Sequence, residues 1–185
     1  MAHQEPLAAI APDAMRAILK SQYHASLAML RETIERCPDE LWYGTEHVNA
    51  CWQIAYHTLF FTHLYLQENY SAFQPWEHHQ ANVQYSDGIA GPSDPASNLP
   101  LLPEPYSKEQ VLTYWQVCDD MIDGAVDALD LQSRESGFKT YPVPKLEHQL
   151  INLRHIQHHT AQLADRLRSA AGIGIGIGWV GARGL

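Results

Sequence analysis

Residues 146–170 read LEHQLINLRHIQHHTAQLADRLRSA, and the period of this stretch decides the fold. At about 100° per residue, Leu153, Ile156, Leu163 and Leu167 fall on one side of a helix. Glu147, Arg154, Asp165 and Arg168 fall on the other. Such a helix must bury its apolar stripe against partners, and the same period recurs three times upstream. Ile18, Leu19, Tyr23, Leu27, Leu30 and Ile34 mark a first helix over 13–37, preceded by Pro12 and stopped before Pro38. A second, over 49–68, is apolar on nearly every side, as expected of an element packed among several neighbours. The third, over 107–131, opens with Ser107-Lys-Glu-Gln110, which fits a capping box. The expected fold is all-α, a four-helix bundle around one core. A short first turn favours antiparallel neighbours. The long irregular connection 69–106 lets the chain return along the bundle, so the expected order is up-down-down-up. Irregular connections of that length are uncommon in compact domains, which makes this one a candidate lid over a pocket. An extended tail, 172–185, alternates Gly with Ile and contains Trp179-Val180.

Composition bounds the rest. With 185 residues the chain is expected to form a single domain over 1–185. Apolar residues make up 45% and charged residues 18%, which excludes intrinsic disorder. A net charge of −9 with scattered Arg and Lys argues against a nucleic-acid partner. The longest apolar stretch, 54–66, is interrupted by His57, Thr58, Thr62 and His63, so no membrane partner is expected. The first residues show no basic leader followed by an apolar run, and a cytoplasmic protein is the expectation. Cys37, Cys51 and Cys118 are odd in number, far apart in sequence and in no C-x-x-C pair. They read as buried thiols rather than a disulfide framework or a zinc ribbon.

The unusual feature is 11 histidines. His155 and His159 stand one helical turn apart, so both imidazoles project from one face, whereas His158 points toward solvent. His57, in Ile54-Ala-Tyr-His57-Thr-Leu-Phe-Phe61, shares a face with Ala50, Ile54, Phe61 and Leu64. A histidine there needs a hydrogen-bond partner or a metal to offset its desolvation. Were the second and fourth helices antiparallel neighbours, the three rings would lie at similar height and could meet one ion. The bland alternatives are a surface pair at 155/159 and a core histidine bonded to a tyrosine or a carbonyl.

With Cys51-Trp-Gln-Ile-Ala-Tyr-His57 and His155-Ile-Gln-His-His159-Thr-Ala-Gln162-Leu in view, the chain resembles the DinB-like superfamily, also described as YfiT-like metal-dependent hydrolases. The resemblance spans about residues 13–170 and implies an up-down-down-up bundle. It implies that His57, His155 and His159 bind a divalent transition metal, zinc first, with nickel, iron or manganese as alternatives. It also implies a small-molecule substrate and, for part of the superfamily, a low-molecular-weight thiol that reacts in S-transfer. A three-histidine ion with an open position can activate water or hold such a thiol as thiolate. Fold and ligands alone do not choose between transferase and hydrolase.

Gln53, Asn152, Gln162 and Arg166 lie within a turn or two of the ligands, on roughly the same faces. They are candidates to line a substrate pocket or to orient a ligand ring, with polar residues at a bundle rim as the alternative. Tyr114 and Cys118 are candidate pocket walls. A zincin site is disfavoured because Ile156 follows the first histidine, and a ferritin-type site because no helix carries the required Glu-x-x-His pairs. The Gly172–Gly178 repeat lacks the strand-to-helix context of a dinucleotide loop. His78 and His79 read as surface residues, and His3, His24, His47, His63 and His148 as surface or capping residues. Two functions follow: a metal-dependent transferase or hydrolase, or a non-catalytic bundle with a structural or vestigial site that binds a partner protein or dimerises.

Overall fold

The computed structural model describes residues 11–85 and 104–176. These form five α-helices and one short 3₁₀ turn, with no strand among the described residues. The helices are α1 (Pro12–Arg36), α2 (Asp39–Trp42), α3 (Cys51–Tyr65), α4 (Lys108–Ala128) and α5 (Lys145–Ala171), and the 3₁₀ turn is Tyr70–Ala72. None of the helices is long and apolar enough to cross a membrane.

Local chemistry explains where the helices begin and end. Pro12 occupies the first helical position of α1, where its missing N–H costs nothing. At α4 the capping box is complete: Gln110 N donates to Ser107 Oγ at 3.2 Å, and Ser107 N to Gln110 Oε1 at 2.8 Å. Leu129 turns extended, so α4 stops short of the expected 131. Helix α3 is shorter than the expected 49–68 at both ends. Its start is held by Gln53, whose Oε1 accepts from Ala50 N at 2.7 Å. Helix α5 matches its expected span and ends on Gly172 in the left-handed region, with φ 68°.

The four long helices share one core. Leu19, Leu27 and Ile34 of α1 meet Ile54 and Leu59 of α3, Val111 and Ile122 of α4, and Ile156 and Leu163 of α5, all buried. Along α1 and α4, Arg16 reaches Leu129 O, Lys20 reaches Asp127, Trp115 Nε1 donates to Leu27 O, and Lys108 reaches Cys37 O. Along α1 and α5, Tyr23 bonds Gln149 and Gln157 meets Met29. Along α3 and α5, Arg166 bonds Asn49, His57 faces His155, Asn152 reaches Thr62 O, and Gln149 reaches Tyr65 O.

Three expectations change. The 37–51 connection carries α2, whose buried Trp42 donates Nε1–H to Tyr106 O at 3.0 Å. Tyr114 and Cys118 are not pocket walls but fully buried core residues: Tyr114 stacks on Trp76 with ring centroids 4.8 Å apart, and Cys118 Sγ donates to Leu59 O. The described part of the 69–106 connection is irregular except for the 3₁₀ turn Tyr70–Ala72, and Trp76 and Val83 anchor it in the core. The lid expectation rests largely on 86–103, and Trp179-Val180 on the tail, both outside the described residues.

Candidate metal centre

His57 stands mid-way along α3, and His155 and His159 one turn apart on α5. The packing of those two helices brings the three rings into a triangle, with centroid separations of 5.0, 4.6 and 4.6 Å. One nitrogen from each lies within 4.8 Å of the other two, so the set could hold a metal ion. All three residues are half-buried.

The hydrogen bonds select the donor atoms. His57 Nδ1 donates to the backbone carbonyl of Gln84 at 2.6 Å, and His159 Nδ1 to Gln162 Oε1 at 3.1 Å. A carbonyl oxygen only accepts, so both Nδ1 atoms carry the proton and both Nε2 atoms carry the lone pair. His57 Nε2 then faces His155 Nε2 at 3.0 Å. Two lone pairs at that distance repel unless a proton on His155 or a cation lies between them. The neighbourhood of His155 favours the cation. Among the described residues its buried Nδ1 has no partner, and neither has Asn152 Oδ1 three residues earlier on the same helix. A proton on His155 Nδ1, which a water could bridge to that acceptor, leaves Nε2 for an ion. Burial, then the adjacent His57 and His159, push the His155 pKa far down, so this ring is neutral as ligation requires. The three rings could therefore hold a metal ion. Phe61 packs on two of the rings, at 4.8 Å from His57 and 5.7 Å from His155.

The other candidate residues divide. Gln162 touches a ligand ring, and Asn152 is buried with its amide on Thr62 O. Gln53 caps α3 instead. Arg166 is tied to Asn49, with NH1 on its carbonyl at 2.8 Å and NH2 on its Oδ1 at 2.7 Å. A cavity of about 870 Å³ between Leu66–Asn69, Met121–Leu129 and Lys145 is lined by none of the three histidines.

His158, His47 and His78 are exposed, as expected. Four other histidines are not surface residues. His24 is buried, with Nδ1 2.6 Å from Asp119 and Nε2 3.2 Å from Asp123. His148 is fully buried among Tyr65, Phe138 and Tyr141. His63 is half-buried against Tyr114 OH, and His79 meets Tyr56 OH at 2.7 Å. Gln84 escaped notice because it acts through its backbone carbonyl, which any residue would supply. The chain matches no protein-family profile, no curated protein and no solved structure.

Proposed function

We propose that this chain is a divalent-metal protein of the DinB-like kind, holding its ion on His57, His155 and His159. In this reading it acts on a small molecule as a transferase of the thiol S-transferase type or as a hydrolase. The observation that carries the reading is the tautomer assignment: two Nδ1 atoms committed to carbonyl oxygens, with the Nε2 edges of facing rings 3.0 Å apart. The proposed up-down-down-up order is supported by helix contacts. Early α1 meets late α4, α1 and α5 advance together from Tyr23–Gln149 to Met29–Gln157, and early α3 meets late α5.

When bound, the ion supplies Lewis acidity for activating water or a low-molecular-weight thiol. Zinc is the first choice, because three neutral imidazoles suit it, with nickel, iron and manganese as alternatives. The chain's own part is to keep the His155 ring neutral by burial, to fix the tautomers of His57 and His159 through Gln84 and Gln162, and to pack Phe61 against His57 and His155. A structural site in a non-catalytic bundle that binds a partner protein or dimerises is the second reading; the Phe61 ring packed on His57 and His155 favours it.

Elemental analysis of untagged protein, beside His57→Ala and His159→Ala, tests the site. The expected result is near one ion per chain, lost in both variants while the helical circular dichroism persists. A protein that carries no metal and takes up none from zinc or nickel overturns it. Once loading is established, turnover in a screen of thiol transfer and hydrolysis separates the catalytic from the structural reading.

A further inference from the structure

The cavity of about 870 Å³ lies where α3 and α4 finish and α5 begins, and its lining has two opposite electrical characters. The positive part is Lys145. This side chain is 4% exposed and forms no ion pair among the described residues. Its Nζ donates to Glu68 O at 2.8 Å and to Ser136 O. An ammonium has three N–H groups, and among the described residues no hydrogen-bond acceptor takes the third. The Phe138 ring, 5.3 Å from Nζ, adds a diffuse attraction but no lone pair. A Cβ on Gly137 would stand 3.2 Å from Nζ, and Gly137 and Glu68 both line the cavity, which places the charge beside it. Carbonyl oxygens are neutral, so this buried charge has no counter-ion. Lys145 also opens α5, where the helix dipole opposes a cation and favours an anion. Both effects call for a negative group.

The rest of the lining calls for the reverse. Helix α4 ends there with no basic residue in its last turn, and Asp130, Glu135 and Glu68 stand exposed around the cavity. Arg16 reaches Leu129 O at 3.0 Å but does not line the cavity. A helix C-terminus and carboxylates favour a cation. Leu66, Met121, Ala125 and Leu129 add apolar lining, and a Cβ at Gly124 would meet nothing within 4 Å.

We infer that this cavity binds a zwitterion of the amino-acid or short-peptide class with an apolar side chain, its carboxylate on Lys145 and its ammonium on Asp130 or Glu135. A simple carboxylate would meet the acidic residues with nothing to offer them. A simple amine would leave Lys145 without a counter-ion. Only a ligand with both charges satisfies both. The volume falls in the range of small-ligand sites, about 300–1,000 Å³, and has room for a dipeptide. None of the three clustered histidines lines it, so this binding is independent of the proposed metal function.

The test titrates the full-length chain with leucine and leucyl-leucine, beside isocaproate and isoamylamine, which keep the leucine side chain and delete one charge each. Backbone amide shifts report the binding. The zwitterions are expected to give saturable shifts within 66–69, 124–130 and 133–137. Each single-charge analogue should bind about tenfold or more weakly, for the loss of one charge-assisted hydrogen bond. Gly124→Leu puts a side chain into open space, so it should fold with a Tm no lower than the parent and weaken binding by about tenfold or more. In the double variant Asp130→Asn, Glu135→Gln, both positions being exposed, isocaproate should bind as well as leucine. Lys145→Met should bind isoamylamine as well as leucine; where that variant does not fold, the wild-type analogue series decides. Absence of saturable shifts with both zwitterions, shifts confined to the surroundings of His57, His155 and His159, an analogue that binds the wild type as tightly as the zwitterions, or undiminished binding to Gly124→Leu would each overturn the inference.

Discussion

Gln162 shows how one side chain sets the state of another. Its Oε1 accepts the Nδ1 proton of His159, which assigns Nε2 to the ligand role. Gln162→Leu keeps the helix but removes that acceptor, and zinc affinity is expected to fall by about 10- to 100-fold, as for other partners of ligating histidines. A competitive chelator titration measures this, and an unchanged affinity would show that Gln162 does not support the site. His148 gives a second prediction. Its two ring nitrogens are buried without partners among the described residues, and burial, then the nearby Lys145 charge, lowers its pKa to about 4. The unfolded chain therefore takes up a proton near the ordinary pH of about 6.5, while the folded chain resists until about 4. Stability is full above the upper value and drains as pH falls toward the lower one, by at most about 3 kcal/mol. In metal-free protein the urea midpoint should drop between neutral pH and pH 5. His148→Phe should lessen the drop, with His63, also lowered to about 4, sustaining part of it. An equal drop in the variant would mean that the proton goes elsewhere. Sequence period misplaced His148 because it gives an angle around a helix axis, not what covers that angle. The cover here is Phe138 and Tyr141, from the turn before α5.

At the scale of elements, helix starts with side-chain signals were legible and tertiary turns were not. The Ser107 and Gln110 side chains close the same few atoms whatever lies around them, so the start of α4 could be read directly. Ser107→Ala should cost about 1 kcal/mol in a urea melt, with no effect on metal content. Gly137 is the opposite case. Its φ is 86°, and a Cβ there would collide with Glu68 O, which the buried Lys145 Nζ holds at 2.8 Å while also bonding Ser136 O. Gly137→Ala is expected to destabilise the chain by more than about 1 kcal/mol, because backbone strain and a clash add. A melting temperature matching the parent would show that the turn can relax. Nothing local marks Gly137 as special among the glycines, since the atom it would strike, Glu68 O, lies three residues past the end of α3.

For the whole molecule, the ion and the fold should be coupled, since two of the ligands come from α5 and one from α3. A ligand that binds only the folded chain, at a hundred times its Kd, adds about 2.7 kcal/mol. For a domain of this size that should raise Tm by about 5–10 °C. Calorimetry with zinc before and after chelation measures it, and His159→Ala should lose the shift. A zinc-independent Tm would separate the cluster from folding. By itself, the sequence determined the helical period of the four long segments, the apolar stripe of α5, the capping box of α4 and the two histidines one turn apart. These are properties of neighbours within a few residues, which helical geometry alone relates. Only the tertiary structure decided that His57 meets His155, that Gln84 supplies a carbonyl and that Arg166 turns to Asn49. Each of those contacts joins residues well separated along the chain, and their distance depends on how whole helices pack and how the connections between them run.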